Sequence, residues 1–368
     1  MTQPDDAAWI AAAGAPRPES GPESGADGMP APAAVPAPDR PGQASPDPAG
    51  QASPPPDAAG QASPSPASEG SPAPVSPAGS SAPSGAELGP TGRPPRAIPE
   101  PAPLTSHGPA KVIAMCNQKG GVGKTTSTIN LGAALAEYGR RILLVDLDPQ
   151  GALSAGLGVA SHELDRTIYN LMLEPATAVT DVLVPTRIEG VDLIPANIDL
   201  SAAEVQLVGE VAREQTLKRV LADAVAEYDF ILIDCQPSLG LLTVNALTAA
   251  DGVIIPLECE FFSLRGVALL IDTVDKVQER LNPGLTLDGI LATMYDGRTL
   301  HGREVFARVL EAFGDKVFDT VIARTVRFPE TTVAGEPITT WASNSTGATA
   351  YRNLAREVLA RSGPADGR

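Results

Sequence analysis

From Lys111 onward the chain alternates short, uninterrupted apolar runs with stretches whose apolar positions recur every three or four residues. KVIAMCN (111–117), RILLVDLD (141–148), YDFILIDC (228–235), DGVIIPLE (251–258) and GLTLDGILATMYD (284–296) have the length and composition of strands buried on both faces. Helical spacing follows most of them. It runs through TTSTINLGAALAEYG to a capping glycine at Gly139, then through NALTAA, FFSLRGVALLIDTVDKVQERL and EVFARVLEAF. A last helix is predicted over about 347–361, with Tyr351, Leu354, Ala355, Val358 and Leu359 inward and Arg352, Arg356 and Arg361 elsewhere on its circumference. Strands without a polar face, separated by helices, predict an α/β fold: a mostly parallel, twisted sheet with helices on both faces.

Before Lys111 this patterning is absent. Residues 1–110 contain 27 of the 37 prolines and one aromatic side chain, Trp9, too little apolar material for a core. A loose repeat, GQASPDPA, GQASPPPDAA and GQASPSPA, starts at Gly42, Gly50 and Gly60 with irregular spacing, as in an extended linker and unlike a solenoid. The expected organisation is a disordered low-complexity tail over 1–110, one globular domain over 111–362 and a short C-terminal tail over 363–368.

Charge changes the picture in one place. The net charge is −17, with the negative excess confined to residues 1–295, whereas residues 296–368 hold ten basic and nine acidic side chains. Net charge therefore argues against nucleic-acid binding, and any basic surface has to be local and C-terminal. Cys116, Cys235 and Cys259 are scattered and form no C-x-x-C pair, which predicts a reducing compartment and neither disulfide framework nor zinc site. The N-terminus has no basic region followed by an apolar core, and no run approaches a membrane span, so a cytoplasmic protein is expected.

The strongest chemical signal is CNQKGGVGKTT, 116–126, between the first strand and the first helix. A strand, then glycines, then a helix start aims backbone N–H groups and the helix dipole at an anion. Gly120, Gly121 and Gly123 let the backbone approach phosphate oxygens, Lys124 reaches the β- and γ-phosphates, and the Thr125 hydroxyl holds Mg²⁺. The stretch departs from G-x-x-x-x-G-K-[ST] because position 118 is Gln, and it carries a second lysine, Lys119.

KGGVGKTT resembles the deviant Walker A signature of the ParA/MinD family of P-loop ATPases, and LLVDLDPQG is typical of the ParA/Soj branch. The likeness runs through TVIARTVRFPE to the last helix, covering about 111–360. It implies a Mg²⁺-dependent ATPase whose cofactor contacts are Lys119, Gly120, Gly121, Val122, Gly123, Lys124, Thr125 and Thr126. It also implies a face-to-face homodimer over two ATP molecules, in which Lys119 crosses to the partner's nucleotide. Asp234, at the end of a buried strand, matches the Walker B acid. Asp148 matches the acid that activates the attacking water, and Asp146, two residues earlier and on the same face of a strand, is assigned to the metal shell. DCQPSLG looks like the second switch, in which Cys235 reads most simply as a small buried hydrophobe.

Among relatives, a nitrogenase-type reductase would need cluster-ligating cysteines, and a MinD-like protein would end in a basic amphipathic membrane helix; neither is evident. The ParA/Soj branch implies non-specific DNA binding by the ATP dimer, with Arg298 and Arg327 matching its arginines and Arg324 a weaker candidate. It further implies release by a ParB-type centromere-binding partner, hence a nucleoid-associated partition ATPase. Departures surround these arginines: Ala323-Arg324-Thr325-Val326-Arg327 stands where many relatives have Pro-Arg-Asn-Val-Arg, and Phe328-Pro329 replaces Leu-Ser. A MinD-like spatial regulator and a small-molecule enzyme on the same fold stay open as alternatives.

Overall fold

The computed structural model describes residues 89–363 except 95, 97, 99, 261 and 262. Residues 1–88 of the tail expected over 1–110, and residues 364–368, lie outside the described residues. Seven strands form one sheet: β1 (Lys111–Met115), β2 (Ile142–Leu147), β3 (Val184–Pro185), β4 (Val191–Ile194), β5 (Phe230–Cys235), β6 (Gly252–Glu258) and β7 (Thr286–Thr293). Their order is β3-β4-β2-β5-β1-β6-β7, and every neighbouring pair is parallel except the edge pair β3–β4. The principal helices are α1 (Lys124–Glu137), α2 (Leu241–Ala249), α3 (Ser263–Arg280), α4 (Leu300–Phe313), α5 (Arg327–Ala334) and α6 (Thr346–Ser362).

The apolar runs lack alternation because both faces of the sheet are covered. Val112, Ala114, Leu143, Val145, Ile231 and Ile233 belong to the layer that also contains residues of α2, α3 and α4. Ile113, Met115, Leu144 and Leu232 belong to the opposite layer, with Leu131 and Leu135 of α1 and Tyr351 and Leu354 of α6. Gly132 permits the close approach of α1, since a Cβ there would stand 2.9 Å from Leu144 Cδ2. Helix α1 ends as its sequence predicts: Gly139, at φ 75°, donates its N–H to the Ala136 carbonyl.

Besides α5 and the short helix Ile338–Trp341, two parts of the chain are not delimited by the sequence pattern. Between 151 and 227 lie the short edge strands and helical pieces such as Ile168–Leu173, Leu200–Gln206 and Thr216–Val220, each too short for a 3.6-residue period to register. The other is the segment from 89 to 110, placed in the tail by its composition. It contacts the domain at residues 314–319, along α6, and at Arg140 and Asp229 before β2 and β5. Arg93 donates to the Gly314 carbonyl (2.6 Å) and pairs with Asp319, and Arg96 pairs with Asp315 (2.8 Å). Arg356 of α6 donates to the Ile98 carbonyl, Arg140 donates to the Ala102 carbonyl (3.0 Å), and His107 Nδ1 meets Asp229 Oδ2 at 2.8 Å. A low-complexity stretch can be held this way because its carbonyls need only donors, which the domain's arginines supply, and not a core of its own. Each such bond is worth about 1 kcal/mol and each exposed ion pair less. A chain starting at residue 111 is therefore expected to melt about 3–8 °C below one starting at residue 89, a difference readable by differential scanning calorimetry; equal melting points would mean that the segment contributes nothing.

Candidate functional site

The C-terminal ends of the three central strands meet at one residue. Asp234 of β5 is in register with Met115 of β1 on one side and Asp146 of β2 on the other, so the loops leaving these strands converge around it. This is the end of a parallel sheet at which ligands bind.

The loop after β1 is braced at both ends. Asn117, buried, donates from Nδ2 to the Pro256 carbonyl (2.7 Å) and accepts the Lys119 N–H at Oδ1 (2.9 Å). Thr293, at the end of β7, donates to the carbonyl of the buried Val122 (2.8 Å). Gly121 and Gly123 have φ of 73° and 86°, and a Cβ on Gly121 would meet nothing within 4 Å: its glycine serves backbone conformation on an open face. Gln118 is exposed and is not among the positive-φ residues, which explains why the consensus glycine is dispensable there.

The two lysines of the loop part company. Lys124 is buried and curls inward, its Nζ donating to the Lys119 carbonyl at 3.2 Å. Lys119 turns away and places its ammonium between Glu258 Oε2 (2.9 Å) and Glu260 Oε2 (2.6 Å). Burial pulls the Lys119 ammonium down, but hydrogen bonds to both carboxylates outweigh it and its pKa stands above the usual lysine value.

Thr125 donates from Oγ1 to Asp234 Oδ2 at 2.6 Å, while Thr126, half-buried, gives its carbonyl to Asn130. Asp234 is fully buried, and burial with the neighbouring Asp146 raises its carboxyl to about 8. Burial likewise raises Asp146 to about 7, against the hydrogen bonds it accepts from Ser154. Two buried carboxyls beside the Thr125 hydroxyl and Lys124 are a donor set that Mg²⁺ fits. Among the described residues no group of three or more His, Cys, Asp or Glu side chains forms a metal cage. One hydroxyl and one carboxylate are what Mg²⁺ requires when phosphate oxygens and water complete its shell.

The acids after β2 differ from their sequence-based pairing. The strand ends at Leu147, so Asp148 belongs to the following turn and does not share a strand face with Asp146. Asp148 is half-buried and accepts the Gln150 N–H (3.0 Å). Asp146 accepts from the Ser154 N–H (2.8 Å) and hydroxyl (2.7 Å) on one oxygen and from the Asp148 N–H (3.3 Å) on the other. Its oxygens thus anchor the turn that carries Asp148. Cys116 and Cys235 are buried next to each other, sulfurs 2.9 Å apart, and burial pushes the Cys235 thiol up.

The candidate DNA arginines sit at the same pole, where Tyr295 and the 322–324 segment exchange backbone hydrogen bonds. Arg298 is 91% exposed and grips Asp296 with Nε and Nη2 (2.8 and 2.9 Å), holding that carboxyl at about 2. Arg324 pairs with Glu258 (2.8 Å). Arg327, the first residue of α5, is exposed and makes no ion pair among the described residues. The residues that pattern reading missed are Asn117, Thr293, Glu258 and Glu260. Glu258 alone carried a signal, as the one charged residue ending the run DGVIIPLE.

A sequence profile described as an AAA domain matches residues 110–287. The sporulation initiation inhibitor protein Soj of Bacillus subtilis is 48% identical over 250 residues, covering 68% of this chain and 98% of its own. The chromosome-partitioning ATPase Soj of Treponema pallidum is 51% identical over 253 residues, covering 69% and 98%. Among solved structures, a Mycobacterium smegmatis protein described as cobyrinic acid a,c-diamide synthase with bound ATP analogue and magnesium is 44% identical. It superposes with a TM-score of 0.60 over 67% of this chain and 93% of its own.

Asp234 also generates a pH prediction. Its folded pKa of about 8, like the value of about 7 for Asp146, lies above the ordinary carboxyl value near 4. The contribution of these two carboxyls to stability is therefore full below that ordinary value and is lost as pH rises toward 8. Asp234→Asn is expected to flatten this decline and to raise stability at pH 8 by on the order of 1–3 kcal/mol. Thermal melts of both proteins from pH 5 to 8.5 read the difference; parallel curves would show that the charge is not strained.

Proposed function

Because this chain belongs to the ParA/Soj family of P-loop ATPases, we propose that it is a chromosome or plasmid partition protein, in which an ATP dimer holds DNA non-specifically and a ParB-type partner triggers hydrolysis and release. It is an ATPase, and ATP and Mg²⁺ are its cofactors. The observation that best supports the dimer is the divergence of the two lysines. Lys124 lies within its own loop, whereas Lys119 points out of it toward surface acids.

Bound Mg²⁺–ATP supplies the transferable phosphoryl group and the negative charge that both lysines answer. The backbone from Gly120 to Lys124 orients the phosphates, and Lys124 is placed to neutralise them on its own subunit. Thr125 and Asp234 would hold the metal. Asp148, on a turn anchored by Asp146, is placed to orient the attacking water and to sense departure of the last phosphate. Lys119 serves the partner's nucleotide, tying hydrolysis to assembly.

Lys124→Ala is expected to abolish nucleotide binding. Lys119→Ala should retain it and lose ATP-dependent dimerisation and turnover, and Asp148→Ala should accumulate as an ATP dimer. Labelled-nucleotide titration, sedimentation velocity and phosphate release separate the three. Equal binding defects in both lysine variants would refute the division of labour, and normal turnover in Asp148→Ala would remove that residue from the chemistry.

Whole-chain acidity does not cancel a local basic surface, because salt screens charge over about 8 Å at physiological ionic strength. Arg327, without an ion pair among the described residues, and Arg298, whose fork can exchange Asp296 for phosphate, are the DNA contacts in this reading. Arg327→Glu and Arg298→Glu should each keep the ATP dimer and lose retention on arbitrary duplex DNA, and wild-type affinity should fall steeply with salt. Unchanged retention in both variants would move the DNA surface elsewhere. No described helix is long and apolar enough to cross a membrane. Anionic vesicles run in parallel with DNA test the MinD-like reading, and failure of the wild-type ATP dimer to bind DNA at low salt would remove partition.

A further inference from the structure

Glu258 ends β6 and gives each of its two oxygens to a different cation: Oε2 to Lys119 of the phosphate loop and Oε1 to Arg324 of the segment before α5. Its side chain is only 12% exposed, so leaving it unpaired would be costly. Glu260, 54% exposed, holds Lys119 from the other side and is readily rehydrated. The Lys119 side chain, 38% exposed, is thus fixed by two carboxylates in the single chain, pointing away from its own phosphate loop. An ammonium that serves a second subunit has to break both contacts first.

We infer that Glu258 and Glu260 form a parking site that holds Lys119 in the monomer and sets the threshold for ATP-dependent dimerisation, and that Arg324 is the counter-cation that keeps Glu258 paired once Lys119 has left. This rests on the dimer reading above and deepens it. The two acids act on Lys119 and not on nucleotide, so they are positioning residues. Release remains possible because neither acid is stranded: Glu260 returns to water and Glu258 keeps Arg324. The same arrangement withdraws Arg324 from the DNA-contact set. An arginine that left Glu258 for a phosphate would strand the carboxylate at the moment Lys119 is also absent, so Arg298 and Arg327 carry that role.

The test is dimerisation of the full chain by sedimentation velocity with Mg²⁺ and a non-hydrolysable ATP analogue, with titration of a fluorescent ADP as control. Glu260→Gln weakens the parking site at its rim. Two lysines are released per dimer, so the dimer constant is expected to tighten about fivefold. Arg324→Ala removes the replacement cation and leaves Lys119 as the sole partner of Glu258, so dimerisation is expected to weaken by a comparable factor. ADP affinity should be unchanged in both. A general loss of structure moves both variants the same way, whereas the parking site requires opposite signs. An unchanged or weaker dimer in Glu260→Gln overturns the proposal, as does an unchanged dimer in Arg324→Ala. Loss of DNA retention by Arg324→Ala at a concentration where its dimer is saturated also overturns it, by restoring that residue to the DNA surface. Wild type and Lys119→Ala in the same series keep the two ideas apart: a wild-type dimer that Lys119→Ala loses sustains the functional reading even where the parking site fails, and absence of any wild-type dimer refutes both.

Discussion

A carboxylate enclosed at the centre of a parallel sheet is the constraint on which the rest of this molecule depends. Asp234 has Met115 and Asp146 as strand neighbours and no exposure to water, and its carboxyl is raised to about 8. Such a group is tolerated because helices on both faces bury enough apolar surface to outweigh it. It also defines where a cation belongs. The Thr125 hydroxyl, the phosphate loop and the Asp148 turn are arranged around this point because the strands that carry them are hydrogen-bonded to β5 or to its neighbour.

Charge near the loop is distributed by burial. Lys124 is buried between its own loop and Asp234, which commits it to a ligand bound there. Lys119 emerges one turn earlier, on the exposed side, where Glu258 and Glu260 supply a temporary partner. Glu258 links that lysine to Arg324, and the backbone of the Arg324 segment is joined to Tyr295 at the end of β7. The loop, the end of β6 and the C-terminal basic segment therefore share contacts, a physical route by which the state of one affects another.

The segment from 89 to 110 joins the domain through arginines and carbonyls, without a core of its own.

The fold class, the central strands, the helices of nine residues or more and the phosphate loop were legible in the sequence, whereas the eight-residue α5 was not, because legibility depends on local spacing: strand-length apolar runs, 3.6-residue periodicity sustained over several turns, and glycines between a strand and a helix. The family could be named from KGGVGKTT and LLVDLDPQG for the same reason, since the chemistry of a phosphate loop is contained in adjacent residues. Four things had no local signature. The short elements between 151 and 227 carry too few turns to show a period. The segment from 89 to 110 has the composition of a linker and is held by donors that lie far along the chain. Asp148 leaves the strand one residue after Leu147, which separates it from Asp146 despite their spacing. The partners of Lys119 and Arg324 lie 139 and 66 residues away in sequence. Only the order β5-β1-β6-β7 brings them together, because a contact between side chains on neighbouring strands is set by which strands are neighbours, and that is decided by how the whole sheet closes its two cores.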